Sequence, residues 1–458
     1  MNVILKPEEW ALNLYTNEQQ INKTKLSNYI IKEIYGNEVL LFHTITWSIY
    51  VLTLEEYDNI LNNEYLKSVN VIVDDNLDEL KIATQAYSER MVKKNLPTYD
   101  KINSYVVFTT TACNARCHYC YETNIEKKES MTLETAENLV QFILKHHYPQ
   151  SGAKIQWFGG EPLLNTKVID YVSKRLDELN VKYHSTMISN SLLFNEENVS
   201  KINNWKLKSV QITIDGLNET YNKIKNYVYS DIDAFLMLIE NIHRLIDKTD
   251  IRITLRFNIG NDNIFEMYDT IEYIKEEFKD HIGNRVGLYA SRLYEFNDES
   301  YTPIEGYNEE LKRISQLCDI NTPDDCVDGT DTETFKRTPI SKMCMAYNGT
   351  GIAILPNGSF SPCEHVKDED IFGNIIDGIT DYSVIEHWQD LGNDEMLSFC
   401  KENSCPLHAL CSRFFLCSEI YVCKTKERLE NRLKGAKEKL IRTYEYYLNE
   451  KNKLKGGN

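Results

Sequence analysis

The chain has 458 residues, 42% of them hydrophobic and 26% charged, with a net charge of −18. This balance excludes a largely disordered chain and leaves room for about three globular domains. The acidic charge argues against nucleic acid, whose binders carry a basic domain or stripe; it favours a basic or neutral partner such as a cationic peptide, or serves solubility alone.

No run approaches the roughly 18 consecutive apolar residues of a membrane span, so no membrane partner is expected. Met1 to Trp10 has no basic region leading into an apolar core, so no secretory signal is expected and the expected location is cytoplasmic.

In chain order, residues 1–100 mix short strands and helices. Tyr29–Ile31 and Val39–Thr44 read as strands around a Gly36-Asn37 turn, and Trp47–Leu52 as another. Thr53 is a candidate N-cap, and a helix is expected over about 78–94. This suits a small α+β, winged-helix-like module. Residues 101–310 are regular. Apolar runs at Tyr105–Phe108, Ile155–Phe158, Ser185–Ile188, Val210–Ile214, Ile253–Phe257 and Val286–Ala290 alternate with helical patterns. In the helix predicted over 132–147, Ala136, Leu139, Val140 and Ile143 share a face. Six such units predict an α/β fold, a partial (β/α)6 TIM-like barrel, with ligands at the C-terminal ends of its strands. Residues 311–340 read as a bridge, 341–423 as a loop- and Cys-rich domain, and 424–458 as a solvated amphipathic helix with 11 Lys and Arg against 5 Asp and Glu.

The 12 cysteines are clustered: three at 113–120, seven at 344–423, and only Cys318 and Cys326 between. Without a secretory signal this points to metal before disulfides. The first predicted strand runs into Cys113, Cys117 and Cys120, spaced C-x3-C-x2-C. Iron–sulfur cubanes normally take four thiolates, so three would leave one iron open to a substrate or cosubstrate. Zinc with His118 as fourth ligand is the competing reading, although His118 adjoins Cys117, an awkward spacing for one ion.

This spacing, with Tyr119 before the last cysteine, resembles the radical S-adenosylmethionine superfamily. The resemblance implies that the open iron binds S-adenosylmethionine, whose reductive cleavage yields a 5′-deoxyadenosyl radical. Further motifs follow in order. Gly159-Gly160-Glu161-Pro162 resembles the family's GGEP motif, whose glycines would let backbone approach a ligand and whose Glu161 would accept from the cosubstrate ammonium. Ser189-Asn190-Ser191 stands where relatives often have Thr-Asn-Gly. Asp215, in Gln211–Gly216, is either a polar active-site group or a turn residue. Arg256 and Asn258 share a strand face and by resemblance contact the cosubstrate, a structural role being the alternative.

The second cluster resembles a SPASM domain, which carries one or two auxiliary 4Fe–4S clusters. Cys344-x13-Gly358-x4-Cys363 matches it; Cys400-x4-Cys405-x5-Cys411-x5-Cys417 departs from the usual C-x2-C-x5-C-x3-C. By analogy Cys400, Cys405, Cys411 and Cys423 hold a distal cluster, and Cys344, Cys363 and Cys417 a proximal one. Its fourth ligand is Cys326 or Cys318, or the site is open to a substrate thiolate. Zinc is the competing reading here too. Glu364 takes the place of an aspartate that serves as base in sulfatase-maturing relatives, or else is a group supporting the cluster. Taken together, the resemblance implies a maturase of ribosomally made peptides that installs a thioether, C–C or C–O crosslink or related change. Its N-terminal module would bind a leader peptide, and flavodoxin or ferredoxin would be its reductant. The alternatives are a formylglycine-forming sulfatase maturase and a non-radical iron–sulfur or zinc peptide-binding module.

Overall fold

The computed structural model describes residues 1–15, 23–90, 99–120, 122, 128–230, 232–293, 304, 306–318, 345–390, 402–410 and 426–455. They fall into two compact units: residues up to 90 with those from 390 onward, and residues 99–318 with 345–389. No helix among the described residues is long and apolar enough to cross a membrane.

In the first unit, β1 (Asn2–Leu5), β3 (Ile30–Tyr35), β4 (Glu38–His43) and β5 (Ser48–Thr53) form an antiparallel sheet in the order β1-β5-β4-β3, while β2 (Thr24–Leu26) pairs with β6 (Ile72–Asp74). The β3–β4 hairpin turns at Gly36, whose φ of +60° suits a residue without a Cβ. Thr53 caps the helix Leu54–Asp58 in a capping box with Glu56. Alternation along β4 sends Val39 and Leu41 to one face and Leu40 and Phe42 to the other. The first face packs on Ile60, Leu66 and Val69. The second packs on the C-terminal helix Lys426–Lys455, where Leu440 and Tyr444 are buried. The tail is therefore helical as expected but not simply solvated: one stripe of it completes the core of this unit.

In the second unit, β7 (Ser104–Thr110), β8 (Ala153–Gly159), β9 (Tyr183–Ser189), β10 (Leu207–Ile214), β11 (Arg252–Ile259) and β12 (Val286–Arg292) each pair in parallel with the next. The helices Leu133–His146, Thr166–Glu178, Ala234–Lys248, Met267–Glu277 and Tyr307–Cys318 are interleaved with or follow them. This is the expected α/β partial barrel. It does not close through β7 and β12: the free side of β7 takes β13 (Gly351–Ile354) in parallel, continued antiparallel by β14 (Ser359–Ser361), β15 (Gly373–Asn374) and β16 (Gly378–Ile379).

The strands carry two kinds of face. Along β9, Tyr183, Ser185, Met187 and Ser189 are buried, while His184, Thr186 and Ile188 are half-buried. The same alternation puts Gln211 and Thr213 of β10, Thr254 and Arg256 of β11 and Tyr289 of β12 on the half-open inner face. The Tyr289 hydroxyl reaches Gln211 Oε1 there at 2.9 Å. This inner face is polar along β10 and β11, whereas on β7, β8 and β9 Val106, Phe108, Phe158 and Ile188 form an apolar cluster.

Candidate active site

The C-terminal end of β7 runs directly into the three cysteines. Thr111 N–H bonds Glu129 O at 2.9 Å, and Cys120 N–H bonds Cys117 O at 3.2 Å, which closes the loop. Cys113, Cys117 and Cys120 are half-buried. Burial, with Glu161 next, pushes the Cys113 thiol up to about 12; burial, with Glu122 next, pushes Cys120 up to about 11. Burial also raises Cys117, opposed by Lys225. These are not activated nucleophiles, which require a depressed pKa. Such thiols would ionise when a cation takes the place of the proton.

The neighbouring loops lock the cysteine loop in place. Gly159, with φ +125°, and Gly160 sit where an added Cβ would lie 2.0 Å from Thr110 O and 2.4 Å from Ala112 O. The close approach these glycines permit is to the chain's own cysteine loop. Gly160 N–H bonds Thr110 O at 3.1 Å and Glu161 N–H bonds Ala112 O at 2.9 Å. The Glu161 side chain is fully buried. It accepts from Leu163 N–H at 3.1 Å, Ser189 Oγ at 3.0 Å and Asn190 N–H at 2.9 Å, so it ties the end of β8 to the end of β9. Burial pushes its carboxyl up to about 7 against those donors. Pro162 opens the short turn Pro162–Asn165, and its carbonyl accepts from Thr109 Oγ1 at 3.0 Å. Asn190 Nδ2 reaches Asn114 Oδ1 at 2.7 Å. The buried Nδ2 of Asn114, beside Cys113, has no partner among the described residues.

On the other side of the loop, Tyr119 donates to Asp215 Oδ1 at 2.8 Å and accepts from Asn258 Nδ2 at 3.1 Å. Asp215 is thus no mere turn residue; it is fully buried and ion-paired with Lys225 at 2.7 Å. Burial opposes the Lys225 charge, but Asp215 overrides it and holds the lysine pKa well above its ordinary value. Burial, then Asp215, raises the Tyr119 phenol well above its usual range, so it stays a neutral donor. Arg256 lies one alternation back on β11; its Nη2 bonds Ser291 Oγ at 2.9 Å, and its buried Nε lacks a partner among the described residues. Lys225 escapes sequence reasoning: in Tyr221–Lys225 it looks like one more solvated lysine.

A cavity of about 190 Å³ adjoins the loop, lined by His118, Ile224, Gly260, Asn261, Asp262, Asn263 and Leu293. His118, the candidate zinc ligand, is exposed and 3.5 Å from Asp262. Among the described residues no three of His, Cys, Asp and Glu are grouped to grip a single ion. A cubane instead binds each thiolate on a separate iron.

Of the second cysteine set, Cys363 follows β14 with its thiol 3.4 Å from Glu364 Oε2, in the same unit as the buried Cys318. Cys405, in the other unit, is buried against Leu429. Cys326, Cys344, Cys400, Cys411, Cys417 and Cys423 lie outside the described residues.

Three cysteines on one loop at the C-terminal mouth of a parallel barrel, an unpartnered buried amide beside Cys113 and an adjoining cavity fit an iron–sulfur cluster with a small cosubstrate. Residues 107–274 match the model of the radical SAM superfamily. That family implies a 4Fe–4S cluster and S-adenosylmethionine. Curated relatives include an uncharacterized protein of Methanocaldococcus jannaschii, 34% identical over 141 residues (30% of this chain, 47% of the relative). Another is the radical SAM cyclopropyl synthase TigE of Paramaledivibacter caminithermalis, 22% identical over 327 residues (61% of this chain, 66% of the relative). The chain therefore spans about half the length of the first relative and 66% of the second. A solved structure described as native anSMEcpe with bound AdoMet and Cp18Cys peptide matches with a TM-score of 0.56 at 16% identity, covering 77% of this chain and 99% of that one; this likeness is one of fold. The barrel, its cysteine loop and the match over residues 107–274 identify a radical SAM domain within this chain.

Proposed function

We propose that the chain is a peptide-modifying radical enzyme with a SPASM-type C-terminal region, acting on a ribosomally made precursor. The observation that carries this reading is the cysteine loop at the C-terminal mouth of the barrel, whose inner face Gln211, Thr213, Thr254 and Arg256 make polar along β10 and β11. Cys113, Cys117 and Cys120 would hold the 4Fe–4S cluster. When bound, cluster and S-adenosylmethionine would supply a 5′-deoxyadenosyl radical that takes a hydrogen atom from the substrate.

In this reading the chain's own residues orient and enclose. The cavity between His118 and Leu293 takes the adenosyl part. Gly159, Gly160, Glu161 and Pro162 hold the rim of the site, with Glu161 bracing Ser189 and Asn190 so that Asn114 and Asn190 face Cys113. Tyr119, Asp215, Asn258 and Arg256 form the opposite wall. Glu364, beside Cys363, is the candidate proton acceptor. Cys344, Cys363, Cys400, Cys405, Cys411, Cys417 and Cys423, with Cys318 or Cys326, are the candidate auxiliary-cluster ligands. A peptide substrate is supported by the fold likeness to anSMEcpe, described with a bound peptide. Among the described residues β3 is an edge strand of the N-terminal sheet, a place where a leader strand could add, and flavodoxin or ferredoxin would deliver the electron.

The test incubates the anaerobically reconstituted chain with S-adenosylmethionine, a reductant and Cys-containing precursor peptides. A product that has lost two hydrogen atoms and kept its sulfur supports crosslinking. Conversion of cysteine to formylglycine, which loses the sulfur, supports the sulfatase-maturase alternative. A reconstituted chain that binds these peptides but never alters them contradicts both.

A further inference from the structure

The wall behind the cysteine loop has an organiser, Lys225, that none of the motifs contains. Asp215 and Lys225 are 0% and 2% exposed at their side chains, with Nζ 2.7 Å from Oδ2. The ammonium also donates to Thr213 Oγ1 at 2.6 Å and reaches the Tyr119 hydroxyl at 3.5 Å. It lies 5.7 Å from the centre of the buried Tyr221 ring. The main chain of the same residue does a second job. Lys225 ends the helix Asn218–Lys225, where Asn226 turns left-handed at φ +43°. Helix-end carbonyls lack partners within the helix, and the Lys225 carbonyl accepts from Arg116 N–H at 2.8 Å. Val228 N–H, just beyond, bonds Asn114 O at 2.9 Å. Arg116 and Tyr119 bracket Cys117, so one residue holds the loop on both sides of a candidate ligand.

A buried ion pair seldom adds stability over a well-packed apolar pair, and its better-attested use is to fix one arrangement. A fixed cation behind Cys117 also favours an anionic thiolate and, once a cluster is present, its reduced state over its oxidised one.

We propose that Lys225 is a positioning residue for an iron–sulfur cluster on Cys113, Cys117 and Cys120: it sets the loop before the cluster arrives and places a buried positive charge behind Cys117. This rests on the assignment of a cubane to those cysteines.

The test compares the full-length chain with Lys225→Met, Lys225→Arg and the double variant Asp215→Asn/Lys225→Met, which leaves no lone buried charge. The readouts are the rate of iron and sulfide uptake on anaerobic reconstitution and the midpoint potential from an EPR-monitored titration. The double variant is expected to keep the circular dichroism of the parent, take up the cluster several-fold more slowly and show a more negative potential. Lys225→Met should show the lowest potential, and Lys225→Arg should restore both readouts towards the parent. Should the double variant not fold, Lys225→Gln, which keeps a donor without the charge, carries the same prediction. Parent-like uptake and potential in the charge-free variants would overturn the proposal while leaving the cluster assignment intact. A parent chain that takes up no cubane would overturn the assignment and the proposal together.

Discussion

Ser191 follows β9 with φ +70°, a left-handed conformation that costs a residue with a Cβ roughly 1–2 kcal/mol. Its hydroxyl is buried with no partner among the described residues. Glycine at this position relieves both, offset by the greater freedom it gives the unfolded chain. Ser191→Gly is therefore expected to raise stability by up to about 1 kcal/mol, read as a higher denaturant midpoint at unchanged slope. The preference for glycine was visible in the motif; its cause, a φ near +70°, was not. Glu161 teaches a similar lesson. A GGEP motif announces a close approach, but only the fold shows that the glycines meet Thr110 O and Ala112 O, and that the carboxylate serves Leu163, Ser189 and Asn190. Lys225 was illegible because its burial depends on Asp215 and Tyr119, which lie 10 and 106 residues away in the chain.

The C-terminal helix and one pair of barrel helices make predictions of their own. Leu440 of the C-terminal helix is fully buried against the β1-β5-β4-β3 sheet. Leu440→Ala should cost about 2–5 kcal/mol, as large-to-small core changes do, and should lower the thermal midpoint of the unit containing the N-terminal sheet. A destabilisation below about 1 kcal/mol, within the range of surface substitutions, would show that the helix is an ornament. The helices Leu133–His146 and Thr166–Glu178 are joined by Arg175 Nε on Glu137 Oε2 at 3.0 Å, with Tyr171 and Gln141 bonding the same carboxylate. Chiefly through the Arg175 hydrogen bond, the Glu137 pKa falls from 4.5 to about 2. A depressed carboxylate contributes stability that is complete above its unfolded value and is lost as pH falls through the folded one. Glu137→Gln should thus destabilise the chain near neutral pH, modestly because the pair is partly exposed, and progressively less between about pH 4.5 and pH 2; an unchanging difference across that window would contradict the assignment. The six barrel strands were legible as apolar runs between helical periods. The extension β13–β16 was not, since its strands are only 2 to 4 residues long and carry no period of their own.

For the whole molecule, the amphipathic tail was readable as a helix, but not as the second cover of an N-terminal sheet some 400 residues earlier, because amphipathicity says that a face is buried and not against what. The central claim is that this fold generates an adenosyl radical at the three-cysteine loop. It is tested most directly by measuring 5′-deoxyadenosine formed from S-adenosylmethionine by the anaerobically reconstituted, chemically reduced full-length chain, beside a Cys117→Ala variant. The account predicts 5′-deoxyadenosine and methionine from the parent chain and neither above background from the variant. A parent chain replete in iron and sulfide that leaves S-adenosylmethionine uncleaved, or a variant that cleaves it equally well, would contradict it.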